Sequence, residues 1–183
     1  MSSTSSNNAH PAWGTPPWSI GFAPPDRPLP ASVDFAVVGA GFSGLAAAAW
    51  LRLLAPEKSV AVLEAGRIGN GASGRTGGMA LDGSAADDLP GLGNVLAGLQ
   101  DILAKLDVDC DLSLPGAWEI ARKGRRIPGS PISWDDSGTL RAVAEVPGGT
   151  LDPGELVGGL ARAAARLGAS IFENHGVRWI VRG

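Results

Sequence analysis

Cysteine is almost missing from this 183-residue chain. A single thiol cannot close an internal disulfide, and one cysteine with two histidines cannot furnish a structural zinc site, so a reducing compartment is expected. Neither sign of charge prevails. Fifteen Lys and Arg stand against 18 Asp and Glu, a net of −3, and the only basic cluster is the short stretch Arg122–Arg126, which disfavours a nucleic-acid partner. Long apolar runs are also lacking: the longest, Leu45 to Leu51, is far too short to span a membrane. No N-terminal stretch joins basic residues to an apolar segment as a signal peptide does, and the expected location is the cytoplasm. Glycine and proline, by contrast, are abundant, at 27 and 14 residues without a collagen-like period, so the backbone turns often and closely. With 44% hydrophobic residues the chain can bury a core, and disorder throughout is excluded.

Composition divides the chain at about residue 32. Residues 1–31 are rich in Ser, Asn and Pro and cannot build a core alone. They read as a flexible arm, or as an extended one whose Trp13 and Trp18 rings lie on the body. From Val33 to Val38 a short β-rich run reads as a buried strand, Leu45 to Leu54 favours helix, Pro56 stops it, and Ser59 to Leu63 reads as a second strand. Residues 66–83 show almost no periodicity and read as a long loop. Leu92, Val95, Leu96, Leu99, Ile102, Leu103 and Leu106 recur at helical spacing, which predicts a helix from about Leu89 to Leu106. Trp118 to Arg122 reads as a strand and Arg125 to Gly149 as turn-rich. Asp152, Pro153 and Glu155 form a helix start, with an acid at the cap, Pro in the first turn and Glu at the third position; Gly168 supplies the stop. Ala169 to Phe172 and Val177 to Val181 read as strands.

The order strand, glycine turn, helix, strand, acid carries the chemistry. In Gly39-Ala40-Gly41-Phe42-Ser43-Gly44 the first glycine makes a tight turn, the second lets a pyrophosphate approach the backbone, and the third lets helix pack on strand. The helix N-terminus then faces the phosphates. In so glycine-rich a chain the bare spacing says little; its setting between strand and helix says much more. Glu64 follows at the end of the next strand, where a carboxylate can bond ribose hydroxyls and disfavours a 2′-phosphate, so NAD or FAD is favoured over NADP. The loop Gly66 to Met79 then separates those two. It offers backbone N–H groups, the hydroxyls of Ser73 and Thr76 and the cations Arg67 and Arg75, which suits a second contact along an extended phosphate and ribityl chain.

Other constellations fail. There is no Gly-x-Ser-x-Gly nucleophile elbow and no phosphate loop ending in Gly-Lys-Ser/Thr. Asp107, Asp109 and Asp111 alternate without the Gly and Glu of a calcium loop, so no metal site is expected. His175 reads as a turn residue, Trp118 and Trp134 as packing, and Cys110 as a small buried apolar group.

Gly39–Gly44, Leu63-Glu64-Ala65, the run Arg67 to Gly78, and the stretch from Leu151 through Phe172 to Val177 together resemble the N-terminal half of the FAD-dependent D-amino-acid oxidase superfamily, nearest its glycine oxidase, sarcosine oxidase and γ-glutamylputrescine oxidoreductase branches. The resemblance implies an α/β chain: a Rossmann-like FAD-binding βαβ domain over 32–183, with 110–150 as part of a substrate lobe. It implies that Glu64 binds the adenosine ribose with Ala65 and Arg67 beside it. Gly71, Ala72, Ser73, Arg75 and Thr76 would line the pyrophosphate and ribityl chain, Gly77, Gly78 and Met79 would approach the isoalloxazine, and Val177 would meet the adenine. Gly74 to Gly78 lacks the histidine to which some relatives attach flavin, so non-covalent FAD is implied. The implied reaction is hydride removal from the carbon beside an amine of a small amine or amino acid, leaving an imine; no residue is identified as its acid or base. Family members are roughly twice this length, and the stretch from Arg122 to Asp152 is short against them. The expectation is therefore a truncated or split form, with a second chain as a candidate partner supplying the remainder.

Overall fold

In the computed structural model, residues 14–82, 91, 93–122, 127–128 and 140–182 are described. His10, Trp13, Leu89, Leu92 and Trp134 lie outside them. The centre is a parallel three-stranded sheet. Strand β1 (Phe35–Val38) pairs with β2 (Val60–Leu63), in register Phe35 to Val60 and Val38 to Leu63. Between them runs helix α1 (Phe42–Leu54). Val-rich β2 lies in the middle and is buried; its other neighbour is the last strand, β7 (Ser170–Phe172).

A small antiparallel pair, β3 (Met79–Leu81) with β6 (Gly148–Thr150), and a hairpin-like pair, β4 (Ala117–Ala121) with β5 (Arg141–Val146), lie beside this sheet. Helix α2 (Val95–Leu106) is capped by the Asn94 side chain, which accepts from the Ala97 N–H at 2.9 Å. Helix α3 (Pro153–Arg166) is capped by Asp152, which accepts from the Glu155 N–H at 2.9 Å. The reciprocal half of that box is not made: the Asp152 N–H donates to the Cys110 carbonyl at 2.8 Å, and Glu155 pairs with Arg162 at 3.2 Å.

Helices α1 and α3 pack on each other through small residues. Ala48, Ala49, Ala161 and Ala164 are all fully buried, so the two backbones approach closely around Leu45 and Val157. Each large side chain so buried contributes roughly 1.5–3 kcal/mol. Arg52 ties the far ends together, its Nε donating to the Leu167 carbonyl at 2.8 Å, and Lys105 on α2 lies 5.4 Å over the Trp50 ring of α1. No helix among the described residues is long and apolar enough to cross a membrane.

Five expectations change. The run 33–38, expected to be buried, has Phe35 and Val38 exposed, because β1 pairs with β2 alone. The helix predicted from Leu89 starts at Val95, where Asn94 caps it. The stretch 66–83 holds β3 as well as a 3-10 turn at Ala72–Gly74. The turn-rich stretch 125–149 holds β5 and the start of β6. Val177 to Val181, expected as a strand, has no pairing among the described residues, and Trp179 is 85% exposed.

Candidate functional site

The three glycines of the first turn do separate jobs. Gly39 sits at φ +95°, the left-handed region that a side chain disfavours, and its N–H donates to the Leu63 carbonyl at 2.8 Å. At Gly44 a Cβ would run into the carbonyl oxygen of Gly39 and touch Val37, so only a bare α-carbon lets α1 start this close to β1. A Cβ on Gly41 would lie 2.7 Å from Ser73 Oγ. The middle glycine is bare because the second loop comes up against it.

That approach is stitched by hydrogen bonds. The Gly69 N–H donates to the Ala40 carbonyl at 3.0 Å, and the Phe42 N–H donates to Ser73 Oγ at 3.0 Å. Ser73 therefore caps α1 from thirty-one positions away. Helix α1 has no side-chain cap of its own from Gly41 and no acid in its first turn, which leaves the positive end of its dipole open to an anion. The contrast with α3, which carries both Asp152 and Glu155 at its start, is direct.

Glu64 closes the other side. One carboxylate oxygen accepts from the Ala40 N–H and the other from the Gly66 N–H, each at 2.8 Å. Each oxygen keeps a second lone pair that ribose hydroxyls could meet. The turn after β7 is fastened to this segment: Asn174 N–H donates to the Gly66 carbonyl, His175 N–H to the Glu64 carbonyl, and the Ile68 N–H to the Glu173 carboxylate at 2.8 Å. His175 thus lies in a turn, as expected, and Gly176 brings the chain before Val177 against Ala65. Glu173, not singled out from the sequence, carried no spacing signal; only the fold sets it beneath Ile68.

Farther along, Gly71 and Gly77 face open space where a Cβ would meet nothing, while the Gly78 carbonyl accepts from Leu151 N–H at 2.8 Å. Met79 is 65% exposed at the start of β3. The Arg75 guanidinium is turned onto the carbonyls of Asn70, Gly71 and Gly14, and Arg67 is exposed. Gly39–Gly44, Glu64, Ala65, Ala72 and Ser73 are thus brought to the C-terminal ends of β1 and β2, where open α/β sheets bind ligands. Thr76, Gly77, Gly78 and Met79 lead away from there along the second loop. This donor set fits a dinucleotide: an open helix N-terminus, a carboxylate with spare lone pairs, and bare glycines facing space.

A cleft of about 610 Å³ between residues 107–111 and α3 lies elsewhere. Its Asp107 and Glu155 are matched by Arg166 and Arg162, each at 3.2 Å, and no metal-holding cluster occurs among the described residues. Cys110 at its edge is 2% exposed, and burial, with Asp109 and Asp111 beside it, pushes its thiol pKa up.

Comparison with known proteins bears on the family and the fold. The model of the FAD dependent oxidoreductase family, DAO, matches residues 34–183. A protein named as a probable oxidoreductase, OrdL of Haemophilus influenzae, is 56% identical over 50 residues, which are 27% of this chain and 11% of that protein. Among solved structures, L-amino acid deaminase from Proteus vulgaris aligns with a TM-score of 0.57 at 20% identity, over 88% of this chain and 44% of its own. Glycine oxidase from Bacillus cereus ATCC 14579 aligns with a TM-score of 0.54 at 22% identity, over 78% and 48%. The chain therefore spans about half the length of these solved relatives.

Proposed function

Since this chain belongs to the FAD dependent oxidoreductase (DAO) family, we propose that its residues hold FAD, non-covalently, for an oxidoreductase acting on amines or amino acids. The observation that carries the reading is the pair of glycine segments fastened face to face by Ala40 with Gly69 and Phe42 with Ser73, around the Glu64 carboxylate. In this reading Glu64 holds the adenosine ribose, with Ala65 and Val177 flanking the adenine. The open N–H groups at the start of α1, with Ala72 and Ser73, hold the pyrophosphate. Arg75, Thr76, Gly77, Gly78 and Met79 line the path toward the flavin ring. When bound, the flavin supplies two-electron oxidation of the carbon beside a substrate nitrogen. The chain's own part is to bind, to orient and to leave room: Gly71 and Gly77 keep side chains out of the cofactor's way. Glycine oxidase and L-amino acid deaminase are the fold relatives whose names support an amino-acid substrate. A reducing, cytoplasmic setting belongs to the same reading, in keeping with a chain whose single cysteine cannot close an internal disulfide.

A second reading, a flavin-binding chain that turns over only with a partner chain, is favoured by the exposure of Phe35 and Val38 on β1 together with Trp179 and Ile180. One preparation tests both. Titration with FAD should quench flavin fluorescence saturably, and acid precipitation should leave all flavin in the supernatant. Absence of saturable binding would overturn the first reading. Amine or amino-acid oxidation by the purified flavin-loaded chain would overturn the second.

A further inference from the structure

Residues 14–22 form neither helix nor strand and bend at Pro17–Trp18, and their burial alternates: Pro16, Trp18, Ile20 and Phe22 are turned inward, while Thr15, Pro17, Ser19 and Gly21 are exposed. What the inward side touches is the second glycine loop. The Trp18 indole N–H donates to the Thr76 carbonyl at 2.9 Å, and the Arg75 guanidinium donates to the Gly14 carbonyl at 2.6 Å. Ile20 lies over Gly69 and Val157, Pro16 Cβ lies 3.1 Å from where a Cβ on Gly74 would stand, and the Arg162 side chain donates to the Gly21 carbonyl at 3.2 Å. Gly69 is therefore bare for Ile20 and Val157, and Gly74 for the Gly69 carbonyl and Pro16. Gly71 and Gly77 are bare toward open space.

The loop's longer-range backbone bonds lie toward its ends, Gly66 with Asn174, Gly69 with Ala40 and Gly78 with Leu151, and the arm meets the stretch between them. The backbone bonds within the loop are short-range, Asn70 N–H to the Arg67 carbonyl and Arg75 N–H to the Ala72 carbonyl, both at 3.0 Å. The geometry points to the arm as a strap that holds residues 66–78 in the shape that takes the cofactor, with Trp18 as a positioning residue whose docking and FAD binding strengthen each other. This inference rests on the FAD reading for the identity of the ligand. Reciprocity follows from linkage: if a docked arm raises FAD affinity, bound FAD must by the same factor favour the docked arm.

Hydrogen exchange on the full chain, free and with FAD, tests it in the wild type, Trp18→Phe and Trp18→Ala. FAD is expected to slow exchange in 14–22 as well as in 66–78. Trp18→Ala should speed exchange at 66–78 while leaving α3, and α1 beyond its first turn, as in the wild type, and should weaken FAD binding about tenfold. Trp18→Phe keeps an aromatic ring, though a smaller one, and loses the donor, for a weakening of about fivefold. Protection of the arm by FAD is the readout that a merely structural contact would not move. FAD that slows the loop and leaves 14–22 unchanged overturns the strap, as does Trp18→Ala with unaltered loop exchange. If FAD slows nothing in the wild type, the FAD reading fails, and loop exchange in flavin-free Trp18→Ala against wild type still decides whether the arm holds the loop.

Discussion

The two glycine segments, 39–44 and 66–78, serve one site and are held by opposite means. The first is built from its immediate neighbours: β1 before it, α1 after it, and a contact between Gly44 and Gly39 that forbids any side chain. The second owns little structure beyond a 3-10 turn and takes its shape from afar, through Trp18, Glu173, Leu151 and the Ala40 carbonyl. In the first segment Gly39 and Gly44 thus answer to the local fold and Gly41 to Ser73 across the seam; in the second Gly69 and Gly74 answer to packing, partly against the arm, and Gly71 and Gly77 to empty space.

Replacing Gly44 by Ala is the strongest way to test that division. Its methyl would meet backbone, so the expected loss is about 3 kcal/mol, which lowers Tm by roughly 10 °C in a chain of this size and is read by thermal unfolding. Gly71→Ala is the counterpart, with nothing within 4 Å of the added methyl. Stability should stay within about 0.5 kcal/mol of wild type. Flavin affinity should fall about tenfold by titration. Equal unfolding effects in the two variants would break the comparison.

The same division governs what could be read from the amino-acid order. The first turn was legible because its causes are adjacent: a Val-rich strand, three spaced glycines and an Ala-rich helix, with Glu64 at the end of the next strand. So was the start of α3, where Asp152 and Pro153 act within one turn. Strand β6 was not, since Gly148 and Gly149 carry no strand signal; β3 and the Ser113 bridge make that strand by pairing with it. Val177 to Val181 misled in the opposite sense. Its β-branched and aromatic residues favour strand, yet no neighbour among the described residues pairs with it, and propensity without a partner makes no sheet. The arm did carry a signal in Pro16, Trp18, Ile20 and Phe22 at every second position, but among so many prolines and serines a period of two over four residues is faint.

Two further variants sharpen the comparison at the seam between the segments. Glu64→Gln removes the charge that serves both the Ala40 and Gly66 N–H groups. The expected cost is about 1.5 kcal/mol of stability by denaturant unfolding, because hydrogen bonds to charged acceptors are the stronger kind, together with weaker FAD binding. Ser73→Ala leaves the Phe42 N–H without its acceptor and should cost about 1 kcal/mol. Its mark should be hydrogen exchange that quickens at the start of α1 and in the second loop together. Exchange that quickens in one alone would mean that the segments are not joined through Ser73.

The smallest effect belongs to the opposite end of the β1–β2 pair, where Asp34 does for the strand starts what Glu64 does for their ends. Its carboxylate accepts from the Ser59 N–H at 2.8 Å and the Ser59 hydroxyl at 2.7 Å, with Lys58 at 3.2 Å. The Ser59 hydrogen bonds, then Lys58, lower its pKa from 3.8 to about 2. A carboxyl group whose folded pKa is depressed adds stability above its unfolded pKa and loses it as the pH falls through the folded one. The contribution of Asp34 should therefore be complete above about pH 4 and gone below about pH 2. Asp34→Asn should be slightly less stable than the wild type at neutral pH, with the gap closing over that window, as unfolding curves at stepped pH would record. At neutral pH its FAD affinity should equal that of the wild type, because both carboxylates brace the same two strands and only Glu64 does so at the end where α1 begins. A loss of flavin in Asp34→Asn would mean that bracing the strands, and not the placement of Glu64 beside the glycine turn, is what the site requires.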